Sequence, residues 1–527
     1  MMSETDVWER RFWMVWVGGL ALRLVLGLVL DLTPDEAYYW EYARRLDWSY
    51  YDHPPMVGYL IALGRLVCGD SVVAVRLPAW IGIGIVSWLL YVIGRDHLGS
   101  ARTGCLAAAL PHLTPAGLAL GFITTPDVPL AMAWIAATTA FLELLGNAKA
   151  GDTAAPVASP PSAEPAPFTT PTPFTAPVGL RPWLLTGLAL GLGAMSKYTM
   201  IFLVPGIAAT MLAFPRLRAQ VGRGPFWLMV GLAALGTVPV LIWNFEHDWA
   251  SLRFQLHHGL KASPRPFLAN LGEFLGGQVV TIGPLLLMAL WGVGLTRLPA
   301  AWRTGDERRF FLGAAGLPML CFFAYNGLRS KVEANWPQVA YLPLMPLVAE
   351  WLREGPAPGR RHFWILGTSG LLAALAALQA LTLLMPIPVR SDVSTRLHGW
   401  TQMGNALRAF DERTGRRLLF VGQGAPLTAL VAFYGSLPPD RIAEINGAGQ
   451  WAFWWGDRSL PAGTDLAYVD EGRYSEAEGF SRRFHGPNAS ESHPIFSRGR
   501  LLRTITITTL QNSGEPLAFR RPAPRSP

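Results

Sequence analysis

Two carboxylates stand side by side in Thr33-Pro34-Asp35-Glu36-Ala37-Tyr38-Tyr39-Trp40, where an apolar stretch from about Phe12 to Leu30 ends. Facing lipid, such a pair is costly, so it is either solvated or kept for proton transfer. A third acid, Asp127, is bracketed by Pro126 and Pro129 in a short turn between two apolar stretches. It reads either as the cap of the following helix, accepting free backbone N–H groups, or as a charged member of a site. Lys197, in Met195-Ser196-Lys197-Tyr198-Thr199, occupies a connection too short to let its ammonium leave the membrane boundary. It either snorkels or holds an anion, most naturally a phosphate. Arg253, Arg265, Arg329 and Lys331 are further cations able to join it.

Asp52, His53, His247, Asp248, His257 and His258 have the residue types of a divalent-metal site, with Asp52 and His258 as candidate ligands. No spacing among them is diagnostic, and structural or surface histidines are the competing reading. Neighbouring His257 and His258 point about 100° apart on a helix, so at most one would join an ion. Tyr38, Tyr39, Trp40, Trp48, Tyr50 and Tyr51 read as an interfacial aromatic belt or as a platform for a sugar ring.

The elements that must position these groups are membrane helices. Of the 527 residues, 51% are hydrophobic and only 15% charged, with 21 Trp, and the mean hydropathy is +0.28. An ordinary soluble domain carries nearer a quarter charged residues. Counting stretches of about 20 apolar residues gives about eleven spans, among them residues 12 to 31, 72 to 94, 103 to 123, 127 to 146, 272 to 295 and 337 to 352. Met56 to Cys68 is too short to span and reads as an amphipathic helix along the interface. The net charge of +8 is scattered in small clusters between the spans, which excludes the basic stripe of a nucleic-acid binder. Those clusters, from Arg10-Arg11 to Arg360-Arg361, fall in alternate connections. The positive-inside rule therefore puts the amino terminus in the cytoplasm and the tail after Pro386 outside. The first apolar stretch lacks a small-residue cleavage site and reads as a retained signal anchor. Cys68, Cys105 and Cys321 make neither a metal motif nor a disulfide framework.

Two regions depart from the helical pattern. Residues 147–180 form a Pro/Ala/Thr-rich loop, expected to be disordered and cytoplasmic. Beyond the transmembrane region 1–385, residues 386–527 read as a small outer α/β domain. Its expected strand Arg417 to Val421 meets a helix Leu427 to Tyr434 through Gly422-Gln423-Gly424, a plain strand-to-helix turn, and a late strand runs from Leu502 to Leu510. On this topology the first outer loop (32–70) and the other outer connections hold nearly all the unusual chemistry, while the inner ones hold mainly Arg and Lys.

Pro34-Asp35-Glu36-Ala37-Tyr38-Tyr39-Trp40, Tyr51-Asp52-His53-Pro54-Pro55, Val75-Arg76-Leu77-Pro78, Thr125-Pro126-Asp127, Ser196-Lys197-Tyr198-Thr199, Trp243-Asn244 with His247-Asp248-Trp249, and Asn335-Trp336-Pro337 occur in this order. The series resembles the bacterial members of glycosyltransferase family 39. The resemblance implies a GT-C fold of about 11–13 membrane helices with outer juxtamembrane helices. It also implies inverting transfer of a sugar from a polyprenyl-phosphate donor to a lipid, glycan or protein at the outer face of the bacterial inner membrane. In those terms Asp35 and Asp127 are the catalytic acids, and Lys197 holds donor phosphate. Arg253, Arg329 and His53 are further phosphate contacts, and Glu36, Asp52, Tyr51 and Asn335 support the site. The family's lipid A enzymes usually carry Glu-Lys where Asp52-His53 stand. No cofactor is implied beyond a possible divalent ion. The competing classes are a transporter or flippase of a phosphorylated lipid, which also suits intramembrane charge, and a scaffold acting through its outer domain.

Overall fold

The computed structural model describes residues 3–152, 179–260, 265–354, 358–444, 449–455, 459–461, 463–472, 489–511 and 517–518. Within them seven helices are long and apolar enough to cross a membrane: Glu4–Val29, Val72–His97, Asp127–Gly146, Gly224–Glu246, Pro284–Thr304, Glu307–Arg329 and Gly359–Thr382. The chain is an integral membrane protein.

Other expected spans are present as shorter or broken helices, and proline or glycine accounts for the breaks. Residues 103 to 123 divide into Ala101–Ala109, a 3-10 turn Leu110–Leu113 and Pro115–Leu120, because Pro111 and Pro115 lack backbone donors. The expected span 272 to 295 is two helices, Phe267–Ile282 and Pro284–Thr304. Between them Gly283 has φ 97°, a conformation only glycine adopts without strain, and a β-carbon there would stand 2.3 Å from Ser369 Oγ. Residues 337 to 352 begin as a 3-10 helix, Gln338–Leu344, and continue as Met345–Glu354. The helix from Asp127 runs to Asp152, into the expected loop 147–180, of which residues 153–178 lie outside the described residues.

Charged residues tie the helices together at one end. Arg216 pairs with Glu307, Arg308 donates to the His97 carbonyl at 3.1 Å, and Arg309 binds Glu350 at 2.5 Å. The acids and Lys197 of the sequence motifs lie at the opposite ends of the same helices.

There the first outer loop forms two short helices, Pro34–Arg44 and Met56–Cys68. The first starts from a capping box. Thr33 Oγ1 accepts from Glu36 N, and Glu36 Oε2 accepts from Thr33 N. Gly64 lets the second lie against the Val72–Val92 helix, since a β-carbon would meet the Ala74 carbonyl at 2.2 Å.

The carboxy-terminal region carries a five-stranded sheet in the order Ile442–Ala443, Leu419–Gly422, Leu466–Asp470, Arg500–Leu510, Ala489–Ser497, with helices Trp400–Thr414 and Ala425–Tyr434. The first three strands are parallel, and the last two form an antiparallel hairpin packed on the third. One face of this sheet has a small core of its own, Leu419, Val421, Ala443, Leu466, Tyr468 and Leu510, while a larger core is shared with the first outer loop. Tyr38, Trp40, Tyr42 and Tyr50 of the first outer loop are buried in one cluster with Trp400, Leu430 and Trp451. The aromatics read as an interfacial belt are in fact mostly the floor of that joint core, although Trp48 is 52% exposed.

Candidate active site between the first outer loop and the carboxy-terminal domain

The site is anchored by a buried ion pair that is remote in sequence. Arg76 and Glu36, both with fully buried side chains, bind through two contacts of 3.0 Å. Arg76 also donates to the carbonyls of Gly27, Leu30 and Asp31 at 2.7–2.8 Å. Glu36 accepts from Thr124 N at 3.2 Å. This junction clamps the end of the first helix, the start of Pro34–Arg44, the Val72–Val92 helix and the turn before Asp127. Arg76 lies four residues into an apolar stretch, and a full charge in that position is the signal that marks it in sequence. Glu36 is thereby occupied, and its neighbour Asp35 turns outward.

Asp127 opens its helix, but its oxygens are not spent on capping. One accepts from Lys197 Nζ at 2.6 Å and the other from Asn335 Nδ2 at 2.9 Å. Lys197 has extended backbone ahead of the 3-10 helix Tyr198–Phe202, and its side chain is only 11% exposed, so it does not snorkel. Three segments separated by up to 208 residues thus meet on one carboxylate.

Tyr39 stands among the acids. Its buried phenol is held well above its ordinary pKa by burial and by the charges of Asp35, Asp52 and Asp127. The Asp35 side chain is half exposed and faces Arg396 Nη2 at 3.6 Å. Burial of the recess raises the Asp35 pKa, Arg396 lowers it, and Glu36 and Glu333 raise it. Asp52 accepts from the phenols of Tyr38 and Tyr42, and burial raises its pKa. Gln450 of the carboxy-terminal domain closes the far side, giving its N–H to Tyr38 and accepting from Tyr51 N at 2.6 Å. The Tyr51 ring stacks on Phe453 and meets Phe254 at a tilt.

His53 is half-buried, with its ring edge on Tyr39. Burial and the Lys197 charge push its pKa down to about 3, so it is neutral at physiological pH. It can offer phosphate a hydrogen bond but no positive charge. Arg253 is exposed on the helix Ala250–Leu260, and Arg329 turns back onto Tyr325 of its own helix. The cation set on Asp127 is Lys197. Among the described residues no three His, Cys, Asp or Glu side chains converge as metal ligands. Asp52 is taken up by the two tyrosines, and the side chain of His258 lies outside the described residues.

An apolar cavity of about 830 Å³ adjoins this arrangement. Tyr198, next to Lys197 in sequence, forms part of its wall together with Ile201, Val204, Met229 and Leu241. The cavity wall comes from residues 190–252, while Met56–Cys68 packs on Tyr42, Tyr50 and the Val72–Val92 helix.

A family model described as dolichyl-phosphate-mannose-protein mannosyltransferase matches residues 52–153 and 177–243. The lipid A galacturonosyltransferase RgtD of Rhizobium johnstonii is 27% identical over 387 residues, covering 70% of this chain and 71% of the relative. The undecaprenyl phosphate-alpha-4-amino-4-deoxy-L-arabinose arabinosyl transferase of Pectobacterium carotovorum is 22% identical over 443 residues, 79% and 73% of the two chains. The crystal structure of ArnT from Cupriavidus metallidurans superposes with a TM-score of 0.59 at 14% identity, covering 93% of this chain and 97% of that one. These relatives are transferases, and the flippase alternative finds no support among them. Motif order, membrane helices, relatives and fold together support a GT-C membrane glycosyltransferase similar to those of family 39.

Proposed function

We propose that the protein moves a sugar from a polyprenyl-phosphate donor to a hydroxyl of a membrane glycolipid of the lipid A kind, at the periplasmic face of the bacterial inner membrane. The observation that carries this reading is the Lys197–Asp127–Asn335 cluster next to an apolar cavity. A phosphate at Lys197 would have its prenyl chain in the cavity beside Tyr198. The donor relationship rests on the relatives, one of which is named for an undecaprenyl phosphate-linked sugar. The acceptor class rests on the lipid A galacturonosyltransferase. The arginine-tied helix ends lie opposite the site, which supports a periplasmic position by the positive-inside rule.

In this reaction the acceptor oxygen attacks the anomeric carbon from the face opposite the phosphate, so the configuration inverts. Asp35, half exposed in its recess, takes the hydroxyl proton as the new C–O bond forms, from a position about 3 Å away. The old anomeric C–O bond breaks, and its electron pair leaves with polyprenyl phosphate. Lys197 stabilises the charge developing on that oxygen. Asp127 and Asn335 keep the ammonium in place, and Tyr39 and Tyr51 border the space for the sugar. Asp52 and His53 shape the donor side without adding a cation.

The test uses the full chain in vesicles containing lipid A, supplied with undecaprenyl phosphate carrying galacturonic acid or aminoarabinose, with product read by mass spectrometry. Wild type is expected to glycosylate lipid A with one of the two donors. Asp35→Asn should lose most of the turnover, and Lys197→Met should lose donor use. Transfer by Lys197→Met at the wild-type rate and donor KM would refute the phosphate assignment.

A further inference from the structure

The carboxy-terminal domain brings one side chain to the reacting end of the site. Arg396 lies in the 3-10 turn Val393–Leu397, just after the last membrane helix, and 361 positions separate it from Asp35. The turn is fixed from both sides. Asp392 caps it by accepting from Ser394 N at 3.0 Å, while its other oxygen accepts from Gln379 Nε2 at 2.7 Å. Buried Arg503 donates to the Thr395 carbonyl at 2.6 Å, and Trp400 Nε1 to the Arg396 carbonyl at 2.7 Å. Main chain then meets main chain, as Asp31 N donates to the Leu397 carbonyl at 3.0 Å. The Asp31 carboxylate accepts from Trp400 N and Thr401 Oγ1.

Thr395 and Leu397 are buried, and Arg396 between them is the residue whose side chain is left open, 43% exposed, toward Asp35. Exposed ion pairs between two free side chains contribute little, because both lose rotamer freedom. Here the guanidinium is carried on a backbone that the fold has already ordered, and Asp35 follows Asp31, which is bonded to that same backbone.

We propose that Arg396 is a positioning residue that keeps Asp35 ionised and aimed at the acceptor, making the carboxy-terminal domain part of the active site. The inference rests on the reading of Asp35 as the base. The charged and titratable groups around Asp35 are Arg396, Glu36, Glu333 and Tyr39. Burial and the two glutamates all favour the protonated acid, and Glu36 is already committed to Arg76. Arg396 is the group that favours the carboxylate, and a protonated Asp35 has no capacity to accept the acceptor's proton.

Two measurements on the full-length protein separate this inference from the proposed function. Infrared titration of the carboxyl stretch, with Asp35→Asn subtracted to isolate the Asp35 band, reads protonation without substrate. Relative to wild type the Asp35 band is expected to persist to higher pH in R396Q and to stay near its wild-type position in R396K. Transfer from undecaprenyl phosphate-linked galacturonic acid or aminoarabinose to lipid A is then followed against pH. R396Q is expected to lose about tenfold on the acid side, as the loss of one unit charge near 4 Å implies, and to approach wild type on the alkaline side, with R396K close to wild type throughout. An unshifted Asp35 band in R396Q overturns the proposal. So does a pH-independent rise in acceptor KM, which would make Arg396 an acceptor contact only. A shifted band with an unchanged rate profile keeps Arg396 as the partner of Asp35 and removes Asp35 as the base.

Discussion

Substituting Glu36 by Gln isolates one electrostatic contribution at the junction beneath the site. Glutamine at this position still completes the capping box, since its side-chain oxygen reaches Thr33 N as the carboxylate does. It also still fills the volume. What it removes is the charge facing Arg76: the oxygen on Thr33 N still accepts from Arg76 Nη2, but an amide N–H replaces the oxygen that accepted from Arg76 Nε and Thr124 N, and the guanidinium, with no exposed surface, otherwise keeps its three carbonyls. Breaking a buried pair by deleting one partner costs about 3–5 kcal/mol, whereas loss of a helix cap costs about 1 kcal/mol. The three carbonyls at 2.7–2.8 Å keep part of the guanidinium satisfied, so the lower end, about 3 kcal/mol, is expected for Glu36→Gln. Arg76→Met should cost more, because it strands both the carboxylate and the three carbonyls. The assay is reversible unfolding of the purified protein in mixed dodecyl maltoside–SDS micelles, followed by tryptophan fluorescence. The double variant should be less destabilised than the sum of the singles, by at least about 1.5 kcal/mol, as residues in one network couple. Costs under about 1 kcal/mol that simply add would refute the junction as an energetic centre and leave Glu36 a cap.

Three further outcomes are expected. The unfolded chain protonates His53 near pH 6.5, but the folded protein does not until about pH 3. Stability should therefore fall as pH drops through that window, and His53→Gln should flatten this part of the pH–stability curve; an unchanged slope would count against a neutral His53. Asp127→Asn leaves Lys197 buried without its counter-charge and should lower transfer by about 100-fold, with Asn335→Ala lowering it less; near wild-type kcat/KM in both would separate this cluster from catalysis. Ala208→Trp fills part of the apolar cavity and should raise the KM for an undecaprenyl-phosphate donor about tenfold while sparing a donor with a short prenyl chain, and equal effects on both donors would move the lipid tail elsewhere.

Most of the membrane architecture was legible because hydropathy reports spans directly, and most of the site's residue types were legible because motif order carried the family resemblance. Helix breaks were not. Residues 272 to 295 read as one apolar run because hydropathy does not register that Gly283 is left-handed and Pro284 starts a new helix. The partners of the motif residues were harder still. Lys197 meeting Asp127 and Asn335, or Arg76 meeting Glu36, are pairings across 40 to 208 residues that no local period encodes. Residue type leaves the charge of His53 open, and only its surroundings, beside Lys197, decide that it is neutral. The joint core was missed for a related reason. The aromatic run after Asp35 looks the same in sequence whether it faces lipid headgroups or the Trp400 and Trp451 side chains.

That joint core gives biosynthesis an order of events. Asp31 and Trp400, hydrogen-bonded at 2.8 Å, are 369 residues apart. At 5–20 residues per second, roughly 20 to 70 s pass between the appearance of the first loop and that of the segment which covers its tyrosines. During that interval Tyr38, Trp40 and Tyr42, bonded within the first loop to Asp52 and Asp70, lack the cover of Trp400, Leu430 and Trp451, and the interface or a chaperone must shelter them until the carboxy-terminal domain has been made. The enzyme can therefore mature only after its last membrane helix has been inserted, so a chain stopped short of the carboxy-terminal domain is left with exposed aromatic surface that quality control can recognise.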